Sequence, residues 1–114
     1  MTNFSHGRAA EEAAAMYLER QGFRVLDRNL RTRACEIDIV ATKNKTVYCV
    51  EVKYRLNDSQ GSGLEYVTAA KQKQMHFAAQ MWVATHNWHG DVVLSALEVS
   101  GPTYEISEFI ESIA

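Results

Sequence analysis

Long apolar segments are missing from this chain. No run of eighteen or more apolar residues occurs, and the opening residues, MTNFSHGR, lack the apolar core of a signal peptide. We therefore expect neither a signal peptide nor a membrane span. A cytoplasmic protein that does not engage a membrane is the resulting prediction.

Cysteine patterns typical of metal sites or disulfide frameworks are also missing. The two cysteines, Cys35 and Cys49, match neither a CxxC motif nor a Cys/His ligand spacing. An intracellular setting disfavours a disulfide, so both are predicted to be free thiols. His86 and His89 lie three residues apart without a partner cluster, which makes a zinc site a weak interpretation and favours two surface histidines.

Lysine and arginine are absent from the last third of the chain. Residues 74–114 contain five acidic residues and no Lys or Arg, a formal charge of −5 with histidine neutral, whereas residues 1–73 contain all twelve Lys and Arg and nine acidic residues, a charge of +3. This division suggests an anionic partner for one part of the surface, although the net charge is only −2. An unevenly charged, solvated surface is the competing explanation.

Proline and low-complexity sequence are scarce as well. The single proline is Pro102, and no repeat or Pro/Ser-rich linker interrupts the chain. A length of 114 residues with 46% hydrophobic residues fits one compact domain, which we predict over residues 1–114.

The first half of the chain predicts one helix and three strands. Residues 7–21 have a helical composition and end at Gly22. Residues 23–29, 35–42 and 46–55 read as strands, and the short segment between the last two predicts an antiparallel hairpin.

The second half predicts a loop, a helix and two strands. Residues 56–63 have loop composition, and residues 64–88 return to helical spacing. Strands are predicted over 91–99 and 103–110, around a turn at 100–102. One face of the second helix is predicted to carry Ala70, Gln74, Phe77, Met81 and Ala84. The predicted order is α-β-β-β-α-β-β, an α/β fold in which helices flank a sheet.

Charged side chains occupy two neighbouring strands of this predicted sheet. Side chains alternate between the faces of a strand, so Glu51 and Lys53 share one face, as do Glu36 and Asp38 on the preceding strand. A two-residue turn at 44–45 places Asp38 opposite Glu51 and Glu36 opposite Lys53. A turn at 43–44 shifts the partners by two residues and still leaves Asp38 and Glu51 on one face.

Two opposed carboxylates repel each other unless a positive charge lies between them. A Mg²⁺ ion with open positions for water and phosphate would supply that charge, and Lys53 could then contact a phosphate oxygen or an attacking water. The competing interpretation is a simple ion pair of Glu36 with Lys53, with Asp38 and Glu51 facing solvent. Taken alone, a D(x12)ExK pattern is a weak signal.

The first helix offers a further acidic group. At 100° per residue Glu11 lies close to Ala14 and Leu18 on the apolar stripe, whereas Glu12 lies with Glu19 on the polar side. Glu11 is therefore either an edge residue whose carboxylate reaches water or a third acidic group near the metal.

In their order and spacing, several segments resemble one family. These segments are AEEAAAMYLERQGFRVLDRN (10–29), CEIDIVA (35–41), VEVKYR (50–55), Lys71 in the second helix, and DVV (91–93). The chain resembles the small bacterial YraN-type proteins, which are similar to the Holliday-junction-resolvase and RecB-like branch of the PD-(D/E)xK nucleases. The resemblance implies a restriction-endonuclease-like mixed sheet flanked by helices.

The same resemblance implies roles for individual residues. Asp38, Glu51, the Val52 carbonyl and Glu11 would bind Mg²⁺ or Mn²⁺, and Lys53 would be the catalytic lysine. Glu36 belongs to the family's GEID segment and is a further candidate for the active site. A homodimer is also expected from this likeness.

A basic rim would hold the nucleic-acid backbone through contacts that carry no base information. Its candidates are Arg24, Arg28, Arg31, Arg33, Arg55, Lys71, Lys73 and Gln74. The expected activity is metal-dependent hydrolysis of phosphodiester bonds, most plausibly in DNA. The alternative is a non-catalytic nucleic-acid-binding or protein-interaction module that keeps the nuclease fold.

Three positions depart from the family's pattern. Cys35 stands where glycine is usual, Ala10 stands where glycine commonly precedes the helix glutamate, and residues 89–91 read HGD instead of Arg-Phe-Asp. None of these changes removes a proposed metal ligand.

Overall fold

A computed structural model describes residues 2–33, 36–56 and 67–113. The elements in chain order are α1 (Thr2–Arg20), β1 (Arg24–Arg31), β2 (Glu36–Lys43), β3 (Thr46–Arg55), α2 (Ala69–His86), β4 (Asp91–Ser100) and β5 (Glu105–Ile110). This order confirms the predicted α/β fold, a mixed sheet flanked by helices. Cys35, the predicted loop after Leu56 and the first residues of the predicted second helix lie outside the described residues.

The five strands follow their sequence order across one sheet. β3 and β4 run parallel over ten residue pairs, and the other neighbouring strands are antiparallel. A parallel connection needs a long crossover, which here includes α2. β1 and β5 are the edges of the sheet.

The first helix begins five residues earlier than predicted, because Gly7 does not stop it. A glycine inside a helix costs only about 1 kcal/mol relative to alanine. The end of the helix is as predicted. Gly22 adopts a φ of 94°, and its N–H donates to Glu19 O while the Phe23 N–H donates to Leu18 O. This pair of bonds is a Schellman motif, which favours glycine at its left-handed position.

The hairpin between β2 and β3 has the predicted register. Asn44 and Lys45 both have positive φ, as a two-residue hairpin turn requires, and the ladder runs from the Lys43–Thr46 pair to the Ile39–Val50 pair. The turn thus sets which residues of the two strands face each other.

Two apolar cores lie on opposite faces of the sheet. α1 packs through Ala14 and Leu18 against residues such as Ile39 and Val50. α2 packs against the other face, where the core includes Val40, Val47, Cys49 and Leu94. Cys49 is buried and forms no disulfide with another described residue.

The face of α2 that carries Phe77 is turned to solvent. The buried residues of this helix are Met75, Ala78, Ala79 and Trp82, whereas Phe77 is 58% exposed. Both stripes of the helix are apolar, so helical periodicity alone does not select the one that packs on the sheet. Within the described segments no helix is long and apolar enough to cross a membrane.

Candidate active site

The backbone pairing between β2 and β3 ends just before Asp38. Beyond the Ile39–Val50 pair, Asp38 Oδ2 accepts a hydrogen bond of 2.7 Å from the backbone N–H of Val52. The carboxylate of one strand thus bonds to the backbone of the next, beside Glu51. Val52, predicted to contribute its carbonyl, contacts Asp38 through its N–H.

The regular alternation of side chains along β2 is broken between Ile37 and Ile39. Ile37 packs in the α2 core and Ile39 in the α1 core, although residues two apart on a strand normally share a face. On β1, Asn29 lies opposite Asp38 with a φ of 56°, and the next residue, Leu30, packs against the α2 core. Asparagine tolerates this left-handed conformation better than most residues.

Three carboxylates converge at this point. Glu11 of α1 and Glu36 and Asp38 of β2 each offer an oxygen, and these oxygens lie within 4.8 Å of one another. All three residues are partly buried. Clustered hard oxygen donors are the ligand type that Mg²⁺ and Mn²⁺ favour.

The ionisation of Asp38 reflects this crowding. The pKa of Asp38 is raised from its ordinary 3.8 to about 7, mainly by burial and also by the nearby carboxylates of Glu51, Glu11 and Glu36, while the hydrogen bond from the Val52 N–H acts in the opposite direction. A bound cation would favour the ionised form of such a group. The donor set and its electrostatics therefore fit a divalent cation.

Glu11 and Glu12 face different surroundings, as predicted. Burial raises the pKa of Glu11, and a hydrogen bond from Asn29 and the charge of Arg28 oppose that rise. Glu12 is exposed, with its Oε1 3.1 Å from Arg28 Nη1. Glu11 is thus the glutamate of α1 that reaches the acidic group.

Glu51 borders the three carboxylates without joining their group. Its Oε2 lies 3.5 Å from Lys71 Nζ of α2, and the two side chains are only 14% and 26% exposed. Burial raises the pKa of Glu51, and the charges of Lys71 and then Lys53 oppose that rise. Lys53 is exposed, two residues farther along β3.

Several residues of the predicted basic rim face carboxylates. Arg28 and Arg31 lie 3.1 Å from Glu12 and Glu36, respectively, at the edge of the sheet. Arg55 differs, because its side chain is 16% exposed and its Nε lies 3.4 Å from the buried carboxylate of Glu98. The structure therefore places Arg55 in an interior ion pair and not on an open rim.

The remaining rim candidates are exposed and scattered. Arg33 follows β1, and Lys73 and Gln74 lie on α2. Arg24 pairs with Thr42 near the hairpin, at the end of β1 away from Asp38. Among the described residues, these four thus lie on three different parts of the chain, and Arg24 lies at the opposite end of its strand from the carboxylate cluster.

A cleft adjoins the carboxylates between α1 and β1. It has a volume of about 540 Å³, and its lining residues are Arg8, Ala9, Glu11, Glu12, Arg28 and Asn29. Sequence reasoning missed Arg8 and Asn29. An asparagine inside a strand pattern is a usable signal for Asn29, since strands are poor in asparagine, but a lone helical arginine offers none for Arg8.

Comparison with known proteins identifies the family of this chain. Residues 10–95 match the model of a family described as Uncharacterised protein family UPF0102. A UPF0102 protein of Cytophaga hutchinsonii is 33% identical over 101 residues, which cover 89% of each chain. A UPF0102 protein of Vibrio campbellii is 46% identical over 78 residues, covering 68% of this chain and 64% of that protein. One of Syntrophotalea carbinolica is 50% identical over 80 residues, covering 70% of this chain and 65% of that protein. The chain therefore belongs to the UPF0102 family, the YraN-type group that its sequence segments resemble.

Proposed function

We propose that this protein is a divalent-metal-dependent nuclease that hydrolyses phosphodiester bonds in DNA. The observation that carries the proposal is the convergence of Glu11, Glu36 and Asp38 beside Glu51, with Lys53 two residues along the same strand. Partly buried carboxylates at such short distances repel one another, and a bound cation would offset that repulsion.

Glu11, Glu36 and Asp38 would hold Mg²⁺ or Mn²⁺ through their carboxylate oxygens, with Glu51 next to them. The bound ion would supply Lewis-acid polarisation of the phosphate and a water of lowered pKa. The Val52 N–H orients the Asp38 carboxylate by its 2.7 Å hydrogen bond, and burial keeps bulk water from competing for that group.

Lys53 and Lys71 would have separate tasks. Lys53 is exposed and can donate hydrogen bonds to a phosphate oxygen, where negative charge develops during hydrolysis. Lys71 is a positioning residue in this proposal, since its ammonium group lies at Glu51 and holds that side chain.

A cleavage screen tests the proposal. Junction, flap, single-stranded and duplex DNA are incubated with Mg²⁺ or Mn²⁺ and with wild type, Asp38→Asn, Lys53→Ala or Glu19→Gln. Glu19 is an exposed glutamate of α1 and is the matched control. We expect wild type and Glu19→Gln to cut at least one substrate, and the other two variants to lose at least about 100-fold in rate.

Two outcomes would overturn the nuclease assignment. Cleavage that survives in Asp38→Asn would show that the carboxylate cluster is not the active site. If no DNA is cut and all four proteins bind DNA equally, the chain is instead a binding module with a nuclease-like fold.

A further inference from the structure

We propose that the cleft between α1 and β1 binds the DNA strand, with Arg8 and Arg28 contacting the phosphate next to the one at the carboxylate cluster. This inference rests on the proposed nuclease function and adds where the strand lies. Of the predicted rim it keeps Arg28 and leaves out Lys71, Lys73 and Gln74 of α2.

The position of the cleft supports this path. Glu11 belongs both to the cleft lining and to the three-carboxylate cluster, so a ligand in the cleft lies directly beside that cluster. A volume of about 540 Å³ is within the size range of small-molecule sites and admits a nucleotide unit. Arg31, 85% exposed beside Glu36, extends the arginines of β1 past the cluster.

Arg28 of the cleft can exchange its carboxylate partner for a phosphate. Arg28 is bonded to Glu12 at 3.1 Å, but the side chains are 36% and 60% exposed, and such solvated pairs contribute little. An arginine fork binds phosphate through two parallel hydrogen bonds, which is stronger than its contact with one exposed carboxylate oxygen. Phosphate can therefore replace Glu12 at Arg28.

The α2 side offers a poorer path. Lys71, the basic residue of α2 closest to the site, is held at Glu51 with only 26% of its side chain exposed. The other lysine of α2, Lys73, is exposed. Among the described residues, its charge is not one of the main causes of the pKa shift of Asp38 or Glu51.

Equilibrium binding in EDTA tests the path apart from catalysis. The probe is a labelled single-stranded deoxyoligonucleotide followed by fluorescence anisotropy, with Arg8→Gln and Arg28→Gln compared with Arg24→Gln and Lys73→Gln. Each variant removes one positive charge. We expect the two cleft variants to bind about 5- to 10-fold more weakly and to lower the salt slope by about 0.7 each, while the two controls change affinity by less than about 2-fold.

A second pair of variants tests for a change of DNA affinity in the opposite direction. Glu12→Gln removes the partner of Arg28 and is expected to strengthen binding at least about 2-fold, whereas Glu19→Gln on the same helix leaves it unchanged. Because Glu12 and Glu19 are both exposed, loss of fold does not account for a difference between them.

The inference fails if all four arginine and lysine variants lose affinity equally, if Lys73→Gln loses most, or if wild type does not bind the oligonucleotide. An equal loss in all four variants, or the largest loss in Lys73→Gln, leaves the nuclease assignment unchanged, because the cleavage screen tests that assignment separately. Conversely, the expected binding pattern without cleavage would keep the cleft as a DNA site and remove only the catalytic role.

Discussion

The carboxylate of Asp38 bonds to the backbone N–H of Val52 across 2.7 Å, one strand away. This contact lies just past the last β2–β3 pair, so a side chain satisfies a backbone donor where the regular ladder has stopped. It also ties the most perturbed carboxylate of the cluster to the strand that carries Glu51 and Lys53.

Asp38→Asn should change the pH dependence of stability. The pKa of Asp38 in the folded protein, about 7, lies above the ordinary value of 3.8, so the folded state binds this proton more tightly than the unfolded state. The stability that this proton contributes is fully present below about pH 4 and is lost as the pH rises to about 7. The variant should therefore be more stable than wild type at pH 8, by up to roughly 4 kcal/mol, and the difference should shrink toward pH 5.

Urea unfolding of both proteins from pH 5 to pH 8, without metal, measures this difference. Asp27→Asn, on the neighbouring strand, is the matched control. A difference between wild type and Asp38→Asn that stays constant with pH would contradict the burial of the ionised carboxylate.

Mn²⁺ should stabilise the wild type more at pH 8 than at pH 6, because protons compete with the ion for Asp38. Thermal unfolding with and without the ion measures the effect, which grows with the ratio of ion concentration to dissociation constant. Glu11→Gln, Glu36→Gln and Asp38→Asn should each reduce the shift, whereas Glu12→Gln should retain it. An equal shift in Glu11→Gln and Glu12→Gln would argue against Glu11 as a ligand.

Glu51 and Lys71 should be energetically coupled. Their charged atoms lie 3.5 Å apart and are mostly shielded from water, so a double-mutant cycle with Glu51→Gln and Lys71→Met should give a coupling of roughly 1 kcal/mol. Lys73→Met on the same helix is the control, because it removes the same charge without breaking the Glu51–Lys71 pair. Zero coupling would mean that the pair does not hold Glu51 in place.

The two apolar stripes of α2 should differ in their effect on stability. Met75 is 1% exposed and Phe77 is 58% exposed. Met75→Ala should cost about 3 kcal/mol by leaving a cavity, and Phe77→Ala should cost less than about 0.5 kcal/mol. Denaturant unfolding distinguishes them, and the reverse order would mean that the helix packs on the sheet through the stripe that carries Phe77.

The sequence by itself determined the features that depend on neighbouring residues. The order of elements and the stop of α1 at Gly22 follow from local propensity and backbone conformation. The sequence left a turn at 44–45 or at 43–44 open, each of which sets the β2–β3 register by counting, and the structure has the turn at 44–45. Helical geometry separated Glu11 from Glu12.

Only the tertiary structure decided which groups meet. The break in alternation at Asp38 lies beside the left-handed residue Asn29 of another strand, and the pairing of Lys71 with Glu51 depends on which stripe of α2 packs on the sheet. The interior pair of Arg55 with Glu98 likewise joins residues far apart in sequence. Periodicity reports the face on which a side chain lies, but the strand twist and helix rotation that place it beside a partner are set by packing over the whole core.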